Sequence, residues 1–462
     1  MTPIWKIRMY VFTVLLASLL SALAVLDANG ATITVQPGQS INAAITSAAA
    51  GDTVLVRAGV YTSVRVTKAV TVKGEPGAVI MGAGGGGFGI ETAANNCTVE
   101  GFRVENFGTA IGSQAVRSGV KILRNHTYKN DYSCWINGDG WLIEGNNFER
   151  AYWWARSGDS DYTRMFGRGH VFRRNWIHGA NIPTDFAPLS GTDYAHLDGM
   201  QYFGNTGNNE VFQDIVIEQN MVEAFVQGFY LSNPTTPGAI SNVIIRDNVI
   251  VSQGYPAGGG QLGTRAPWGV LFGSGNGAFP ARGVRFERNL IYAPTTAFAM
   301  TGGGQGVIEK NIFVNNQAAY YTEGGSTAQM TGAGDWMFNV QSLGGWNHAA
   351  AVTSSPQFVN IANPAGPDGI PFTADDGWLS AATQAGYGPQ IGLTPAPQPP
   401  DPPDPEPEPE PTPEHEHADL ESRIKALEDW RAKYPTEVRS RNNENGEWRI
   451  SPARKATAGA LP

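Results

Sequence analysis

A short pattern of apolar and polar positions recurs seven times along the chain. Each copy has an apolar residue, two variable residues, an asparagine, one further residue, and then an apolar residue or threonine. The copies span residues 122–127, 143–148, 172–177, 217–222, 245–250, 286–291 and 308–313. Successive asparagines lie 21, 29, 45, 28, 41 and 22 residues apart. A shortest step near 21 predicts a solenoid with one coil per repeat, and the longer steps predict two coils or one coil with an extended loop.

The pattern also predicts the direction of the side chains. The first apolar residue of each copy lies on a short strand and faces inward. The asparagine lies at the following corner, where it tolerates a left-handed backbone and bonds the neighbouring turn. Stacked coils place equivalent corners about 4.8 Å apart. We therefore expect the asparagine amides of successive coils to form a hydrogen-bonded ladder.

The residues before the repeats predict a helix followed by short strands. Ser40 is the predicted N-cap of a helix over 41–49, which has apolar residues at helical spacing. After Gly51, apolar and polar residues alternate in short segments interrupted by glycine, which favours strands. The chain has 57 glycines and only 16% charged residues in 462 positions, a composition that favours an all-β fold.

The segment 37–61, PGQSINAAITSAAAGDTVLVRAGVY, together with the asparagine repeats, resembles the pectin-lyase-like family. The resemblance covers about residues 32–394 and implies an all-β, right-handed parallel β-helix. It also implies that the helix at 41–49 caps the open end of the solenoid, whose exposed edge would otherwise pair with other chains. The fold alone does not imply an activity.

Residues 1–31 have the features of a secretory signal peptide. Lys6 and Arg8 precede a nearly uninterrupted apolar run, and small residues follow it. The alternative is an uncleaved anchor, but the run is short for a membrane span of about 20 residues. We therefore expect cleavage, no stable membrane insertion afterwards, and a location that is secreted, periplasmic or at the cell surface.

Three segments follow the predicted β-helix domain. Residues 395–417 are a linker in which eleven prolines alternate with acidic residues, which is typical of a stiff, extended spacer. Residues 418–435 predict a short helix whose apolar spacing over 419–434 suits a coiled coil and a homo-oligomer; the alternative is a solvated single helix. Residues 436–462 are polar and basic, and we expect them to be disordered.

Charge and cysteine content narrow the function classes. The net charge is −9, of which residues 1–400 contribute −4, so the body has no basic footprint for nucleic acid. Cys97 and Cys134 are the two cysteines. In an oxidising compartment they could form a disulfide, and the alternative is two buried thiols.

The longest gap between asparagines contains the segment His196–Gln201 (HLDGMQ), which brings an imidazole, a carboxylate and an amide within six residues. If its glycine bends the strand, its apolar residues face the core and its histidine, aspartate and glutamine face outward together. The alternative is a turn in which the aspartate bonds the histidine. Loops on a rigid solenoid commonly carry function, so we expect the site here.

This segment also resembles the Asn-Thr-Asp-Gly strand of polygalacturonases, whose aspartate is catalytic. Asp198 and Gly199 match that motif, whereas His196 and Leu197 replace its first two residues. No counterpart of the family's adjacent Asp-Asp pair, Gly-His-Gly or Arg-x-Lys motif is evident. These departures argue against a hydrolase of that family.

A lyase acting on a uronic-acid polymer must neutralise the carboxylate, remove the C5 proton and assist the leaving oxygen. Gln201, or a cation held by Asp198, is the candidate that neutralises the carboxylate. The candidate base that removes the C5 proton is His196, Arg156 or Arg168. Tyr194 is the candidate that donates a proton to the leaving oxygen. A hydrolase instead needs two carboxyl groups across the glycosidic bond, for which Asp198 with Asp193 or Asp185 is the candidate pair.

Aromatic residues near this segment suit stacking on sugar rings, although packing against the solenoid wall is the alternative. The substrate-binding candidates are Trp153, Trp154, Tyr162, Trp176 and Tyr202, with Asp193 as a polar contact. The neighbouring upstream insertion also holds Asp161 and Arg164, and a weaker cluster around Trp268 lies in the 41-residue gap. We assign no role to these last three residues.

The segment 364–377 resembles a Thr-Ala-Asp-Asp-Gly closing motif of secreted bacterial β-helix proteins. Asp368, Asp375 and Asp376 could bind Ca²⁺ through oxygen ligands, but we favour Asp/Gly turn chemistry. The sequence as a whole predicts an exported enzyme that cleaves an acidic polysaccharide by β-elimination. The alternatives are a glycoside hydrolase or epimerase on the same fold, or a non-catalytic carbohydrate-binding or attachment fibre.

Overall fold

The computed structural model describes residues 30–391, with gaps, and the segments 438–441 and 448–451. The gaps are residues 153, 155–159, 181–184, 186–196, 205–210, 224–226, 233, 235, 253–267, 275–278, 293–294, 302, 324–328 and 344–349. The chain divides into two units, residues 1–393 and residues 394–462. The predicted signal peptide, proline-rich linker and helix over 419–434 lie outside the described residues.

Two helices and 37 strands lie within the described part of the chain. The helices are α1 (Ile41–Ser47) and α2 (Ala381–Gln384). The first strands are β1 (Thr32–Val35), β2 (Thr53–Val56), β3 (Gly59–Tyr61), β4 (Val64–Val66), β5 (Thr71–Gly74), β6 (Ala78–Met81), β7 (Phe88–Thr92), β8 (Thr98–Glu100), β9 (Arg103–Glu105), β10 (Thr109–Gly112), β11 (Arg117–Ser118), β12 (Lys121–Leu123), β13 (His126–Tyr128), β14 (Tyr132–Asp139), β15 (Leu142–Glu144), β16 (Asn147–Glu149), β17 (Thr163–Arg168), β18 (Val171–Arg173) and β19 (Trp176–His178). The remaining strands are β20 (Asp198–Phe203), β21 (Phe212–Glu218), β22 (Met221–Glu223), β23 (Gln227–Ser232), β24 (Ile240–Arg246), β25 (Val249–Val251), β26 (Trp268–Ser274), β27 (Val284–Glu287), β28 (Leu290–Tyr292), β29 (Thr296–Thr301), β30 (Gln305–Glu309), β31 (Ile312–Val314), β32 (Ala318–Glu323), β33 (Gln329–Thr331), β34 (Asp335–Phe338), β35 (Ala350–Val352), β36 (Val438–Arg441) and β37 (Trp448–Ser451).

The strands of the first unit stack in parallel and form three faces. Face 1 contains β4, β7, β10, β14, β17, β20, β23, β26, β29 and β32. Face 2 contains β1, β2, β5, β8, β12, β15, β18, β21, β24, β27, β30 and β33. Face 3 is a separate sheet of β3, β6, β9, β13, β16, β19, β22, β25, β28, β31, β34 and β35. Each coil adds one strand to each face, which confirms the predicted right-handed parallel β-helix.

The asparagine ladder is present and passes through all seven repeats. Each amide Nδ2 donates to the Oδ1 of the next asparagine at 2.9–3.2 Å, as from Asn125 to Asn146 and from Asn220 to Asn248. The leading apolar residue of every copy is fully buried, as predicted. Because consecutive asparagines bond directly, every gap is one coil, and the 45- and 41-residue gaps contain extended loops.

Two details of the ladder differ from the sequence prediction. The residue before each asparagine takes the left-handed conformation, as Arg124 (φ 51°) and Gln219 (φ 57°) do, which leaves the asparagine side chain inside the solenoid. The ladder also has an eighth member, because Asn311 Nδ2 donates to Asp335 Oδ1 at 2.9 Å. An aspartate can end the ladder because it needs only to accept hydrogen bonds there.

Helix α1 covers one end of the solenoid, as predicted. The Ser40 hydroxyl accepts from the Ala43 backbone N–H at 3.2 Å, and Ile41 and Ile45 are buried. Cys97 and Cys134 are separate, buried thiols, so the alternative to the disulfide holds. No helix in the described part of the chain is long and apolar enough to cross a membrane.

The C-terminal tail differs from its prediction. Strands β36 and β37 pair in antiparallel fashion, with Val438 opposite Ser451 and Arg441 opposite Trp448. The prediction of a wholly disordered tail over 436–462 relied on its polar, basic composition. The sequence ENG between the two strands, at 444–446, is a hairpin signal that composition does not register.

The buried His170 makes stability depend on pH. Its Nδ1 accepts from the Trp141 backbone N–H at 3.0 Å, and burial lowers the His170 pKa from 6.5 to about 4. Between these values the unfolded chain binds a proton that the folded chain does not. We therefore expect this residue to remove up to roughly 3 kcal/mol of unfolding free energy as pH falls from 6.5 to 4. Urea unfolding across this range, compared with His170→Gln, measures its share.

The matched control is His415→Gln, which lies in the linker segment. We expect that variant to keep the pH slope of the wild type, because the sequence predicts that this proline-rich segment is an extended, solvated spacer. His178 has a pKa that burial likewise lowers to about 4, so part of the slope remains in His170→Gln. An unchanged slope in His170→Gln would show that protonation of this side chain does not limit folding in acid.

Candidate functional site

Strand β20 carries Asp198 and Gln201 on either side of Gly199 and Met200, and their side chains contact each other. Leu197 and Met200 are fully buried in the core. A Cβ on Gly199 would lie 2.5 Å from a carbonyl oxygen of the neighbouring strand β23. Gln201 Nε2 donates to Asp198 Oδ2 at 3.2 Å. The apolar residues lie in the core and the aspartate and glutamine contact each other, as predicted. The predicted outward direction is wrong for Asp198, which is fully buried, and His196 lies outside the described residues.

Arg164 of strand β17 lies beside Gln201 in the parallel register. Its Nε donates to Asp161 Oδ2 at 2.8 Å, and Asp161 Oδ1 accepts from the Asp198 backbone N–H at 3.3 Å. The side chain of Arg164 is 17% exposed, whereas Asp161 and Asp198 are fully buried. The four residues form one network across two strands, and the guanidinium is its most exposed member.

Two aromatic rings support this guanidinium. Arg164 Cζ lies 4.7 Å from the centroid of the Tyr132 ring and 5.3 Å from that of Trp135. The two rings meet edge to face at 5.3 Å. Such cation–π contacts hold a guanidinium in one orientation. A planar guanidinium beside a glutamine amide is suited to bind a carboxylate through parallel hydrogen bonds.

Several predicted catalytic residues are not placed with Asp198. The structure does not describe Tyr194, His196 and Arg156, nor the predicted substrate-binding residues Trp153 and Asp193. Arg168 ends strand β17 and forms a 3.6 Å ion pair with Asp139 at the surface. Asp185 is held by Arg150 through two bonds of 3.0 Å, which raise the pKa of that arginine. Asp185 is therefore the partner of Arg150 in an ion pair, and its role in a hydrolase pair stays a prediction.

Two of the predicted sugar-stacking aromatics belong to the core. Tyr162 and Tyr202 are fully buried. The Tyr162 hydroxyl donates to the His178 carbonyl oxygen at 2.7 Å, and the Tyr202 ring packs 5.5 Å from that of Phe212. Rings enclosed by protein cannot stack on an external polymer. The stacking prediction for these two residues is corrected, and they form part of the solenoid wall.

The two predicted tryptophans that the structure describes are half-buried. Trp154 donates from Nε1 to the Lys129 carbonyl oxygen at 2.7 Å. Trp176 lies on face 3, where its ring stacks on His178 at 3.6 Å and its Nε1 donates to Glu223 at 2.7 Å. Burial raises the pKa of Glu223, and this hydrogen bond opposes the shift. Trp176 is therefore on a different face from Arg164 and Gln201.

The three aspartates proposed as calcium ligands make local turn contacts. Asp368 Oδ1 accepts from the backbone N–H two residues later at 2.8 Å. Asp375 Oδ1 accepts from the Thr373 hydroxyl and Asp376 Oδ2 from the Phe372 backbone N–H, each at 2.7 Å. Within the described ranges no group of three or more His, Cys, Asp or Glu is arranged to hold a metal. The contacts match the favoured turn chemistry, and calcium binding stays a prediction.

Sequence reasoning named Asp161 and Arg164 but gave them no role, and it missed Tyr132 and Trp135. Arg164 and Gln201 are 37 positions apart in the chain, so their contact depends on how much of that interval is looped out. The sequence did contain a usable signal, a four-residue pattern with glycine second and an apolar residue third. It recurs as DGMQ on β20, QGFY on β23 and WGVL on β26. This recurrence aligns neighbouring strands of face 1 without reference to the loops.

No protein-family model matches the chain, and no curated protein matches it. Solved structures that are similar include a PL6 alginate lyase in complex with a trisaccharide, an alginate lyase from Paenibacillus sp. and a tailspike protein of E. coli bacteriophage HK620. Their sequence identities are 12%, 12% and 10%, with TM-scores of 0.37, 0.32 and 0.36. The alignments cover 79%, 65% and 72% of this chain and 95%, 97% and 59% of those chains. The strand pairing of the chain itself shows that its fold is a parallel β-helix.

Proposed function

We propose that this protein is an exported polysaccharide lyase that cleaves an acidic polysaccharide by β-elimination. The observation that supports this most is the pairing of Arg164 with Gln201 on face 1. The guanidinium is oriented by Asp161 and by two aromatic rings, and it is more exposed than its neighbours. A uronate carboxylate bound there would have its charge neutralised, which acidifies the adjacent C–H bond.

The elimination needs a base and an acid besides this carboxylate site. In the proposed reaction a base takes the proton from C5, and its electron pair forms the C4–C5 double bond. The C4–O bond breaks, and the departing oxygen takes up a proton. We assign His196 as the base and Tyr194 as the acid, as the sequence suggests. Asp198 orients the Gln201 amide through their hydrogen bond.

A hydrolase is the second candidate, and one contact favours it. Asp161 and Asp198 are adjacent, since the Asp161 carboxylate accepts the Asp198 backbone N–H. Hydrolysis requires two carboxyl groups across the scissile bond. Both of these carboxylates are fully buried, whereas a hydrolase acid must reach the substrate. We therefore rank hydrolysis below elimination, and a non-catalytic binding fibre after it.

The test incubates the full chain with pectate, alginate, chondroitin and neutral glycans, with and without Ca²⁺. We expect new reducing ends together with ultraviolet absorbance from the unsaturated product on one acidic polymer. In Asp198→Asn the Gln201 amide loses its charged acceptor, and we expect kcat/KM to fall about 10-fold or more. His196→Ala should lose more. The matched control is Asp139→Asn, an aspartate in a surface ion pair on the same face.

Each outcome separates the candidates. Reducing ends without absorbance would replace elimination with hydrolysis. Binding without any new reducing ends, unaffected in Asp198→Asn, would favour the attachment fibre. Activity on neutral glycans alone would contradict the role given to Arg164 and Gln201, because their site is built for a carboxylate.

A further inference from the structure

Two rows of register-matched residues run along face 1 from the candidate site. The parallel register aligns the first row as Asp198, Gln227, Trp268 and Thr296. It aligns the second as Arg164, Gln201, Tyr230, Leu271, Ala299 and Tyr321. Both rows cross the strands, so they follow the solenoid axis. Residues far apart in sequence, such as Arg164 and Tyr321, are therefore members of one line.

An aromatic pair lies at the far end of these rows. The rings of Trp268 and Tyr321 meet edge to face, with centroids 5.6 Å apart. They come from β26 and β32, which flank β29, and β29 carries only Thr296 and Ala299 at the matching positions. These small side chains let the rings meet above β29. Ala299 is fully buried, as expected beneath such a pair.

Tyr321 is accessible in a way that the core aromatics are not. It is 43% exposed and is the one aromatic among the exposed large hydrophobic residues that the structure describes. Between the pair and Asp198 lies Gln227, whose side-chain oxygen is buried without a hydrogen-bond partner among the described residues. The exposed Tyr321 ring suits stacking on a sugar, whereas the Gln227 oxygen is too buried to contact a bound polymer.

The spacing of the rows matches a polymer better than a single sugar. Parallel strands repeat about every 4.8 Å, and Tyr321 is five strands from Arg164, or about 24 Å along the axis. A pyranose unit linked through opposite sides of its ring advances a chain by a similar step. The distance between Arg164 and Tyr321 therefore corresponds to about five sugar units.

We propose that Trp268 and Tyr321 form a distal subsite that binds a sugar ring of the same acidic polysaccharide several units from the cleaved bond. The proposal rests on the proposed function, because Arg164 and Gln201 define the other end of the bound chain. It makes the enzyme prefer long polymers over short oligosaccharides. The preference arises from added stacking area and needs no additional charge at the distal end.

The test measures kcat/KM on size-fractionated oligogalacturonates and oligoalginates of two to eight units, for wild type and Tyr321→Ala. Wild-type kcat/KM should rise with length until the chain reaches Tyr321. Tyr321→Ala should lose about 5- to 10-fold on the longest substrates, and little on dimers and trimers. Tyr321→Phe keeps the ring and should retain the length dependence. Leu343→Ala is the matched control, since Leu343 is equally exposed at 43%.

The outcomes distinguish this inference from the proposed function. If wild type is active but Tyr321→Ala matches it at every length, the distal subsite is wrong and the lyase assignment stands. An equal loss at all lengths, dimers included, would also overturn it, because Tyr321 would then affect the reacting end or the fold. If wild type neither cleaves nor binds these oligomers, both proposals fail together.

Discussion

Replacing Asn220 with leucine should lower the free energy of unfolding by roughly 4 kcal/mol, because it interrupts the ladder at its centre. The Asn220 amide donates to the Phe172 carbonyl oxygen at 3.0 Å and to Asn248 Oδ1 at 2.9 Å. Its Oδ1 accepts from the backbone and the side-chain N–H groups of Asn175 at 3.0 and 3.1 Å. Leucine removes all four of these buried hydrogen bonds. Chemical denaturation followed by circular dichroism measures the loss.

The matched control is Asn147→Ala, one position beyond the ladder residue Asn146. Asn147 is half-buried and makes one side-chain contact, to His178 Nε2 at 2.8 Å. We expect that variant to lose less than about 1 kcal/mol. If Asn220→Leu cost no more than Asn147→Ala, the ladder would contribute hydrogen bonds that water or a repacked turn replaces equally well.

The fold could be predicted because its signals are local and repeated. Each copy of the repeat has one buried leading apolar residue and one asparagine at the following corner. The seven copies therefore predict the same coil seven times. The left-handed position could not be assigned in the same way. Asparagine tolerates that conformation better than arginine does, yet Arg124 and Arg174 adopt it. The hydrogen-bonded ladder determines which residue is left-handed, because a left-handed residue before the asparagine directs the asparagine amide into the solenoid.

The site could be predicted only in part, because it depends on which strands become neighbours. Asp198 and Gln201 are three positions apart on one strand, so the sequence was enough to place them together. Arg164 belongs to the preceding coil, and the sequence between it and Gln201 includes an extended loop. The length of that loop does not indicate which residues of the two strands lie side by side. Tyr162 and Tyr202 were predicted to stack on sugar rings because the sequence does not show whether a tyrosine side chain points into the solenoid or out of it. Only the packed coil shows that both rings face inward.

Arg164→Gln should lower kcat/KM on the acidic polysaccharide by about 100-fold. The change removes the positive charge and the planar fork while keeping a polar side chain of moderate length. Charge-assisted hydrogen bonds to a carboxylate contribute about 1.5–3 kcal/mol, which corresponds to that factor. Arg164→Lys keeps the charge without the fork and should fall between the two. Initial rates of absorbance increase give the comparison.

Stability has to be separated from recognition, because Arg164→Gln leaves Asp161 buried without its cation. Such an unpaired charge can cost about 3–5 kcal/mol. The double variant Asp161→Asn/Arg164→Gln removes both charges, so it should recover much of the stability while kcat/KM stays low. Arg246→Gln is the matched control, since Arg246 bonds Glu218 at 2.7 Å on face 2, away from the site. Recovery of activity together with stability in the double variant would show that Arg164 supports the fold without contacting the substrate. Continued inactivity in a stable protein places the guanidinium on the substrate carboxylate.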